Sequence, residues 1–445
     1  MQDNNNFLVI GCGARESAIM RNLKRNSVNK VYCYAPHPHP EVIKFCNSFK
    51  YFNKMPDLKE CLDYCKLNHI KCVIIGSENY INTSLSTYLQ SNIKDLRCIC
   101  PGPVSARIET SKYFARTLME NCDDLQKYNP RFMGINKMTP LCKIIDFTVT
   151  FNNNIVIKAD GLCSGKGVKV WGVHLHSLSE IIEYIYELLM SDVDEDNEFP
   201  VVIEEKIVSD NEFSFITFTD GITCHHTFPI KDFKRLHSGN SGPNTGSMAC
   251  IYDNNSLKYL TPEIVEETKK INETVIGILN TMDFGYKGAL YGSYIIDKYG
   301  KLKVIEFNCR LGDPEGVMIM NRMKTDFGLV CKMIASERLS EITIDFEDET
   351  KYAVCKYLVP NGYPTVKCDN FQITIPSVSS SSMKDVYVGA VLKKDGYKYG
   401  TSSRTLAVYK TSNESLEHAE NKCDVVLQRF CINNKKYNKD LLYYR

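Results

Sequence analysis

The sequence predicts a multidomain protein of α/β and α+β class. Three observations carry this. Short apolar runs alternate with helix-like segments from Phe7 to about Gly102; a strand, Gly-rich loop, strand, helix, strand order runs from Ile155 to Glu205; and a third block of strand-like runs starts near Tyr352. In the first block Phe7-Leu-Val-Ile, Val31-Tyr-Cys-Tyr, Cys72-Val-Ile-Ile and Arg97-Cys-Ile-Cys are the expected strands of a parallel α/β domain. A helix is expected over 106–121, where Ile108, Ala115, Leu118 and Met119 gather toward one side while Glu109, Lys112 and Arg116 fall elsewhere. The helix of the second block opens with Ser177-x-x-Glu180, a capping box, and carries Ile181, Ile185, Leu188 and Leu189 on its apolar face. Residues 212–229 and 289–308 read as antiparallel strands, the second pair turning at Asp297-Lys-Tyr-Gly300. In the third block Ala353–Leu358 and Val386–Leu392 are the strand candidates.

Composition limits the function. A chain of 445 residues, 43% hydrophobic and 24% charged, can bury a sizeable core and favours two to four domains. With 54 Lys+Arg against 53 Asp+Glu the formal charge is +1, so neither nucleic acid nor an anionic membrane is an expected partner, and any phosphate site must be local. No apolar run spans a bilayer and the start lacks the plan of a secretory signal, so the expected location is the cytoplasm. The 19 cysteines are odd in number and contain no Cys-x-x-Cys, which reads as reduced thiols, several of them packing as small hydrophobes. The histidine pairs His37/His39, His174/His176 and His225/His226 lack partners at metal spacing and are expected to be exposed or packed.

Four clusters could carry chemistry. Gly161-Leu-Cys-Ser-Gly-Lys-Gly167 follows a strand that delivers Lys158, so small residues free the backbone to wrap a polyphosphate while lysines supply charge. It is not a P-loop, because only three residues separate Gly161 from Gly165, and Gly167 rather than Ser or Thr follows Lys166; an ordinary glycine turn is the alternative. In Leu302-Lys-Val-Ile-Glu-Phe-Asn308, strand periodicity directs Glu306 and Asn308 to one face, where two oxygens can share a magnesium; a solvated strand face is the alternative. That strand runs into Cys309-Arg-Leu-Gly-Asp-Pro-Glu315, which adds a guanidinium and two carboxylates. Lys231-Asp-Phe-Lys-Arg235 with Ser238–Gly246 joins basic side chains to a Gly-rich loop, or forms a plain surface loop. Gly11-Cys-Gly13-Ala-Arg-Glu16 could cradle a phosphate at a helix start. As a dinucleotide fingerprint it is defective, with Glu16 at the third glycine and no acid after the second strand.

Taken together, Val9–Glu16, Ser111-Lys112, Ile157–Val168, Asp232–Arg235, Ser241–Gly246, Glu306–Glu315, Ala353-Val-Cys, Asn361–Pro364 and Ser403–Ala407 resemble the phosphoribosylamine–glycine ligases, ATP-grasp enzymes of purine synthesis. The resemblance implies a Rossmann-like substrate-binding domain over 1–105. It further implies an ATP-grasp domain over 106–340, with a lid lobe at about 125–201, and a C-terminal α+β domain over 345–445. It implies ATP with Mg2+ or Mn2+, and glycine and phosphoribosylamine as small-molecule partners, in a monomer or weak homodimer. Carried over by position, Lys112 and Lys158 would contact nucleotide phosphates, and Gly161, Ser164, Gly165, Lys166, Gly167 and Val168 would cover them. Glu204 and Glu205 would reach the adenine and Glu212 the ribose, although the hinge 206–211 carries one extra residue. Glu306 and Asn308 would bind the metal, and Gly11, Gly13, Asp232, Lys234, Arg235, Asn244, Thr245, Arg310 and Asp313 would line the substrate cleft. Lys158, Arg310, Asp232 and Lys234 are the expected catalytic residues. Glycine carboxylate would attack the γ-phosphate of ATP, and the amine would then displace phosphate from glycyl phosphate.

The chain departs from the family pattern at Ala14, Ser17, Ser247 and Gly316-Val317, positions that bear on the shape of the amine-substrate pocket. Another ATP-grasp carboxylate–amine ligase is the nearest alternative. A nicotinamide-dependent oxidoreductase and a catalytically silent interaction protein are the others.

Overall fold

The computed structural model describes residues 5–81, 83–161, 167–191, 198–239, 241–254, 257–283, 285–366, 371–374 and 383–432. The chain divides into two compact units. One comprises Met1–Ser105, Ser214–Tyr291 and Cys309–Arg445, the other Ala106–Phe213 and Gly292–Asn308. Strands β10 (Glu212–Thr219) and β14 (Gly288–Ile296) each pass from one unit to the other.

The first unit begins with a parallel sheet of β1 (Asn6–Ile10), β2 (Lys30–Ala35), β3 (Ser48–Tyr51), β4 (Cys72–Ile75) and β5 (Arg97–Ile99), in the order β3–β2–β1–β4–β5. Central strands covered on both faces must be apolar throughout, and Phe7 to Ile10 are fully buried. The expected strands are all present. β3 is additional: it lies at the sheet edge with Phe49 exposed, so Ser48-Phe-Lys-Tyr carries no apolar run to betray it. Strand order reverses between β1 and β4, and Gly11–Gly13 and Gly76 follow the carboxyl ends of those two strands.

The second unit opens with a correction. The helix expected over 106–121 is two helices, Arg107–Thr110 and Lys112–Glu120, broken at Ser111. Ser111 leaves helical geometry (φ −131°, ψ 113°), its Oγ accepts from Phe114 N at 3.0 Å, and its hydroxyl donates to Asp160 Oδ2 at 2.7 Å. A cap plus a long-range hydrogen bond outweighs one more helical turn. The lobe that follows is an antiparallel sheet of β6 (Phe132–Ile135), β7 (Ile155–Ala159), β8 (Val168–Val170) and β9 (Val201–Glu205), ordered β6–β9–β7–β8. Helix Leu178–Met190 packs Ile181, Ile185 and Leu189 onto Ile155, Ile157, Val201 and Ile203 of that sheet. Its capping box is displaced by one residue: Ser177 Oγ accepts from Glu180 N, while Glu180 Oε2 accepts from His176 N at 2.6 Å.

Beyond β10, β11 (Cys224–His226), β12 (Lys231–His237) and β13 (Ser241–Asp253) belong to the first unit. After β14 and the turn at Asp297–Gly300, β15 (Leu302–Asn308) completes the second. The C-terminal part of the first unit adds β16 (Tyr352–Leu358), β17 (Phe371–Thr374), β18 (Val386–Val388), β19 (Val391–Lys394), β20 (Tyr397–Gly400), β21 (Leu406–Ser412) and β22 (Cys431–Ile432). Two sheets result, β12–β13–β16–β21–β18 and β19–β20–β17–β22. The strand expected over Val386–Leu392 is split because Gly389 lies against backbone: an added Cβ would stand 2.4 Å from Arg404 O, and Gly389 N donates to Thr405 O at 2.8 Å. Lys356 is fully buried on β16 and is neutralised by Glu420 (2.7 Å) and Asp424 (2.8 Å) of helix Leu416–Leu427.

The Ser111 cap yields a prediction. Ser111→Ala removes a capped N–H and an Asp160 partner at once, and should destabilise the second unit by about 1 to 2 kcal/mol. Scanning calorimetry of the whole chain checks this; a wild-type profile would show that the break at Ser111 needs no hydroxyl.

Candidate active site

In the second unit, β7 and β9 pair Val156 with Glu204 and Lys158 with Val202, which places Lys158 and Glu204 as diagonal neighbours on one face. Lys158 Nζ stands 2.7 Å from Glu204 Oε2, and both side chains are buried. Helix Lys112–Glu120 supplies the third member. Arg116 grips the same carboxylate with Nε on Oε1 at 2.8 Å and Nη2 on Oε2 at 3.0 Å, and donates to the carbonyls of Val304 (3.1 Å) and Ile305 (2.6 Å) on β15. Burial pushes the Glu204 carboxyl up, but the Arg116 and Lys158 charges more than reverse it and hold it at about 2. Burial also lowers Lys158 below its ordinary value, with Glu204 and more weakly Glu306 opposing the shift. Two buried cations thus face one buried anion, which leaves positive charge for a polyanion.

Around this triad lie the residues expected to meet nucleotide. Lys112 Nζ donates to Gly161 O at the start of the glycine loop. Gly167 O accepts from Ala159 N at 2.7 Å and Val168 pairs with Lys158, so both ends of the loop flank Lys158. Ser164, Gly165 and Lys166 lie outside the described residues. On β15, Leu302 and Val304 are buried, whereas Glu306 and Asn308, on the same face farther along, are half-exposed. No group of three or more His, Cys, Asp or Glu suited to a metal occurs among the described residues. The Glu306/Asn308 pair offers two oxygens at an open strand end, which suits Mg2+, an ion that takes few protein ligands beside phosphates and water. Glu205 at the end of β9 accepts from Arg131 N at 3.0 Å, and Glu212 is half-exposed at the start of β10. The Glu204 carboxylate is engaged by Arg116 and Lys158.

The first unit gathers the other expected residues. Arg310 Nε stands 3.0 Å from Glu78 Oε2, and Arg15 bridges Glu78 (3.6 Å) and Glu16 (2.8 Å). Burial raises the Glu78 carboxyl, but Arg310 and Arg15 bring it to about 2. Glu16 occupies the glycine turn: an added Cβ would lie 2.7 Å from its Oε2 at Gly13 and 2.2 Å from its Oε1 at Gly76. A pyrophosphate there would meet a carboxylate, which speaks against the nicotinamide reading. Asp313 is held by Arg404 Nη2 at 2.9 Å and by the Tyr357 hydroxyl. Asp232 Oδ2 accepts from Ser247 Oγ at 3.0 Å and lies 3.7 Å from Lys234 Nζ. Arg235 pairs with Asn244 across β12 and β13 and donates to Gly242 O, while Thr245 Oγ1 donates to Lys234 O at 2.8 Å.

Two departures from the family pattern have a structural account. Ser247 adopts φ 78°, a conformation that favours glycine, and its hydroxyl serves Asp232. At Gly316 an added Cβ would lie 3.2 Å from Arg15 Cγ, so the small residue admits that arginine. Sequence reasoning missed Arg116, Glu78, Tyr291, Tyr357 and Arg404 as site residues. Arg116 and Glu204 are 88 residues apart, and no local pattern links them.

Known proteins resemble the chain along most of its length. Residues 5–109 match the family described as phosphoribosylglycinamide synthetase, N domain, and residues 110–316 match its ATP-grasp (A) domain. A phosphoribosylamine–glycine ligase of Methanocella arvoryzae is 33% identical, over 90% of this chain and 88% of its own. The chain belongs to the phosphoribosylamine–glycine ligase family. A family member from Methanocaldococcus jannaschii is 31% identical over 99% of this chain and 95% of its own. The crystal structure of the phosphoribosylamine–glycine ligase of Thermotoga maritima has the same fold, with a TM-score of 0.75 at 24% identity over 98% of this chain and all (100%) of that one. The biotin carboxylase domain of Hydrogenobacter thermophilus 2-oxoglutarate carboxylase, crystallised with MgADP, shares the fold at a TM-score of 0.70 and 14% identity, over 96% of this chain and 90% of that one. Multidomain α/β with an ATP-grasp core is therefore the architecture.

The triad yields a pH prediction. Glu204 titrates lower in the folded chain (about 2) than its ordinary 4.5, so its contribution is present above about 4.5 and is lost as pH falls toward 2. Glu204→Gln should cost roughly 3 to 5 kcal/mol at neutral pH by leaving buried cations uncompensated. Its deficit against wild type should shrink through that acid window. Urea midpoints measured against pH check this; a deficit independent of pH would contradict the ionised triad.

Proposed function

We propose that this protein joins glycine to 5-phosphoribosylamine at the expense of ATP, giving glycinamide ribonucleotide, ADP and phosphate through glycyl phosphate, as a cytoplasmic enzyme of purine synthesis. The observation that carries the reading is the buried Arg116–Glu204–Lys158 triad flanked by the glycine loop and Glu306/Asn308, in a chain of this family. A carboxylate is a poor acyl donor until an oxygen is phosphorylated, so the enzyme must first neutralise the γ-phosphate. Lys158 supplies charge in a dry site, and Lys112 adds a donor at its edge. Glu306 and Asn308 would hold Mg2+, or Mn2+ in its place, which when bound neutralises phosphate charge and orients the nucleotide. Glu205 and Glu212 are assigned to the adenosine moiety, while Glu204 serves by holding Lys158 and Arg116 in place.

In the first unit Arg310 presents a planar guanidinium suited to a carboxylate or phosphate. Asp232, Lys234, Arg235, Asn244 and Thr245 form a polar set for the amine and ribose phosphate, beside the Arg404-bound Asp313. Glycine carboxylate attacks the γ-phosphorus; the amine of phosphoribosylamine then attacks the acyl carbon and phosphate leaves. Positioning and electrostatics supply the catalysis, and no nucleophilic side chain is needed.

The test is nucleotide turnover with a panel of amino acids, with and without phosphoribosylamine. ADP and phosphate should form with glycine and phosphoribosylamine together. AMP and pyrophosphate as products would refute the acyl phosphate, and preference for another amino acid would refute glycine. Glu306→Ala should lower ligation at least ~100-fold while melting stays normal. Wild-type rates across a magnesium titration would remove Glu306 from the metal site. Arg310→Lys should impair glycine or phosphoribosylamine use far more than ATP affinity, read by kinetics beside calorimetry; weakened ATP binding with unchanged substrate kinetics would overturn that assignment.

A further inference from the structure

One carboxylate oxygen in the first unit has no partner. Asp232 is buried, with a side-chain exposure of 1%; its Oδ2 accepts from Ser247, but Oδ1 has no hydrogen-bond partner. An unpaired buried acceptor costs roughly 1 to 3 kcal/mol, a cost that a bound donor removes. Close by is a second buried carboxylate, Glu315, the first residue of helix Glu315–Arg322. The Tyr291 hydroxyl donates to its Oε1 at 3.1 Å, and its Oε2 lies over Gly312, 2.4 Å from where an added Cβ would stand. The charged and titratable groups around Glu315 are Asp232, Asp313, Tyr291, Cys250 and Arg404. Arg404, the cation among them, is bound to Asp313, and on the Asp232 side Lys234 Nζ stands 3.7 Å from Oδ2. Burial first, and the Asp232 charge second, push Glu315 up to about 7.

We propose that Asp232 and Glu315 act as one carboxylate pair in which Asp232 Oδ1 accepts an N–H of the attacking amine and the pair takes up the proton that nitrogen loses on becoming an amide. This rests on the ligase reading above. The balance is complete: the amine lone pair forms the C–N bond to glycyl phosphate, the acyl C–O bond breaks, and its electrons leave with phosphate. One N–H proton passes through Asp232 to the pair and then to solvent. Burial and the Asp232 charge make the ionised form of Glu315 costly, and an N–H placed on Asp232 Oδ1 lowers that cost. A carboxyl raised to about 7, as that of Glu315 is, is matched to general-base work near that pH. Glu315 acts through Asp232 and is a positioning residue; Asp232 touches the amine.

The experiment uses the full chain with phosphoribosylamine generated from ribose 5-phosphate and ammonia. Ligation is measured as kcat/KM from about pH 6 to about pH 9. Glycyl phosphate formation is measured separately, as glycine-dependent positional isotope exchange in ATP without the amine. Wild type should gain activity as pH rises through about 7. Glu315→Gln, which keeps the Tyr291 hydrogen bond, should lose that inflection and at least ~100-fold in ligation, with exchange reduced far less. Asp232→Asn carries the same test if Glu315→Gln fails to fold. A retained inflection, ligation within ~3-fold of wild type, or exchange and ligation falling together would overturn the proposal. Wild type with neither exchange nor ligation would instead overturn the ligase reading, a separate result.

Discussion

A carboxylate buried with no charge beside it would protonate or unfold its surroundings, and Glu204 avoids both because two cations arrive from different elements. Lys158 comes from the neighbouring strand and Arg116 from the helix capped by Ser111. The same guanidinium binds two carbonyls of β15. Satisfying one buried anion therefore fixes β7, β9, β15 and a helix in register. These are the elements that carry the loop ends at Gly161 and Gly167 and the Glu306/Asn308 pair. The ion pair to Glu204 holds the Lys158 ammonium beside those loop ends.

The first unit uses charge in two ways. Glu78 lies between Arg310 and Arg15 and stays ionised, so that network presents fixed charges at any ordinary pH. At Glu315, burial and the neighbouring Asp232 charge raise the carboxyl instead. Fixed charge suits binding of carboxylate and phosphate, whereas a mobile proton suits amide formation. The difference comes from where Arg404 is spent, on Asp313 and on the carbonyl of Ser247.

The buried cysteines take no part in this arrangement. Burial raises Cys33, Cys250, Cys331 and Cys423 well above the ordinary thiol range, and a hydrogen bond with Cys100 together with burial raises Cys98, so they pack as small apolar groups. Histidines likewise serve structure: His39 is buried on Gly389 O, and His226 is joined to Thr217 and Glu273.

Local pattern was enough for whatever depends on neighbours along the chain. The apolar runs gave the strands β1, β2, β4 and β5, the Ser177/Glu180 spacing gave a helix start, and period two put Glu306 and Asn308 on one face. The family motifs added the ATP-grasp architecture. What pattern could not carry is direction and burial decided by distant partners. Ser111 breaks a helix because Asp160 is there to receive its hydroxyl, and Gly389 divides a strand because Arg404 backbone lies against it. Arg116 reads as one more polar helix residue until Glu204 meets it, and Glu315 reads as a motif letter until Asp232 and Tyr291 surround it. A charge's role depends on its dielectric surroundings and on the nearest opposite or like charge, and only the tertiary structure sets either.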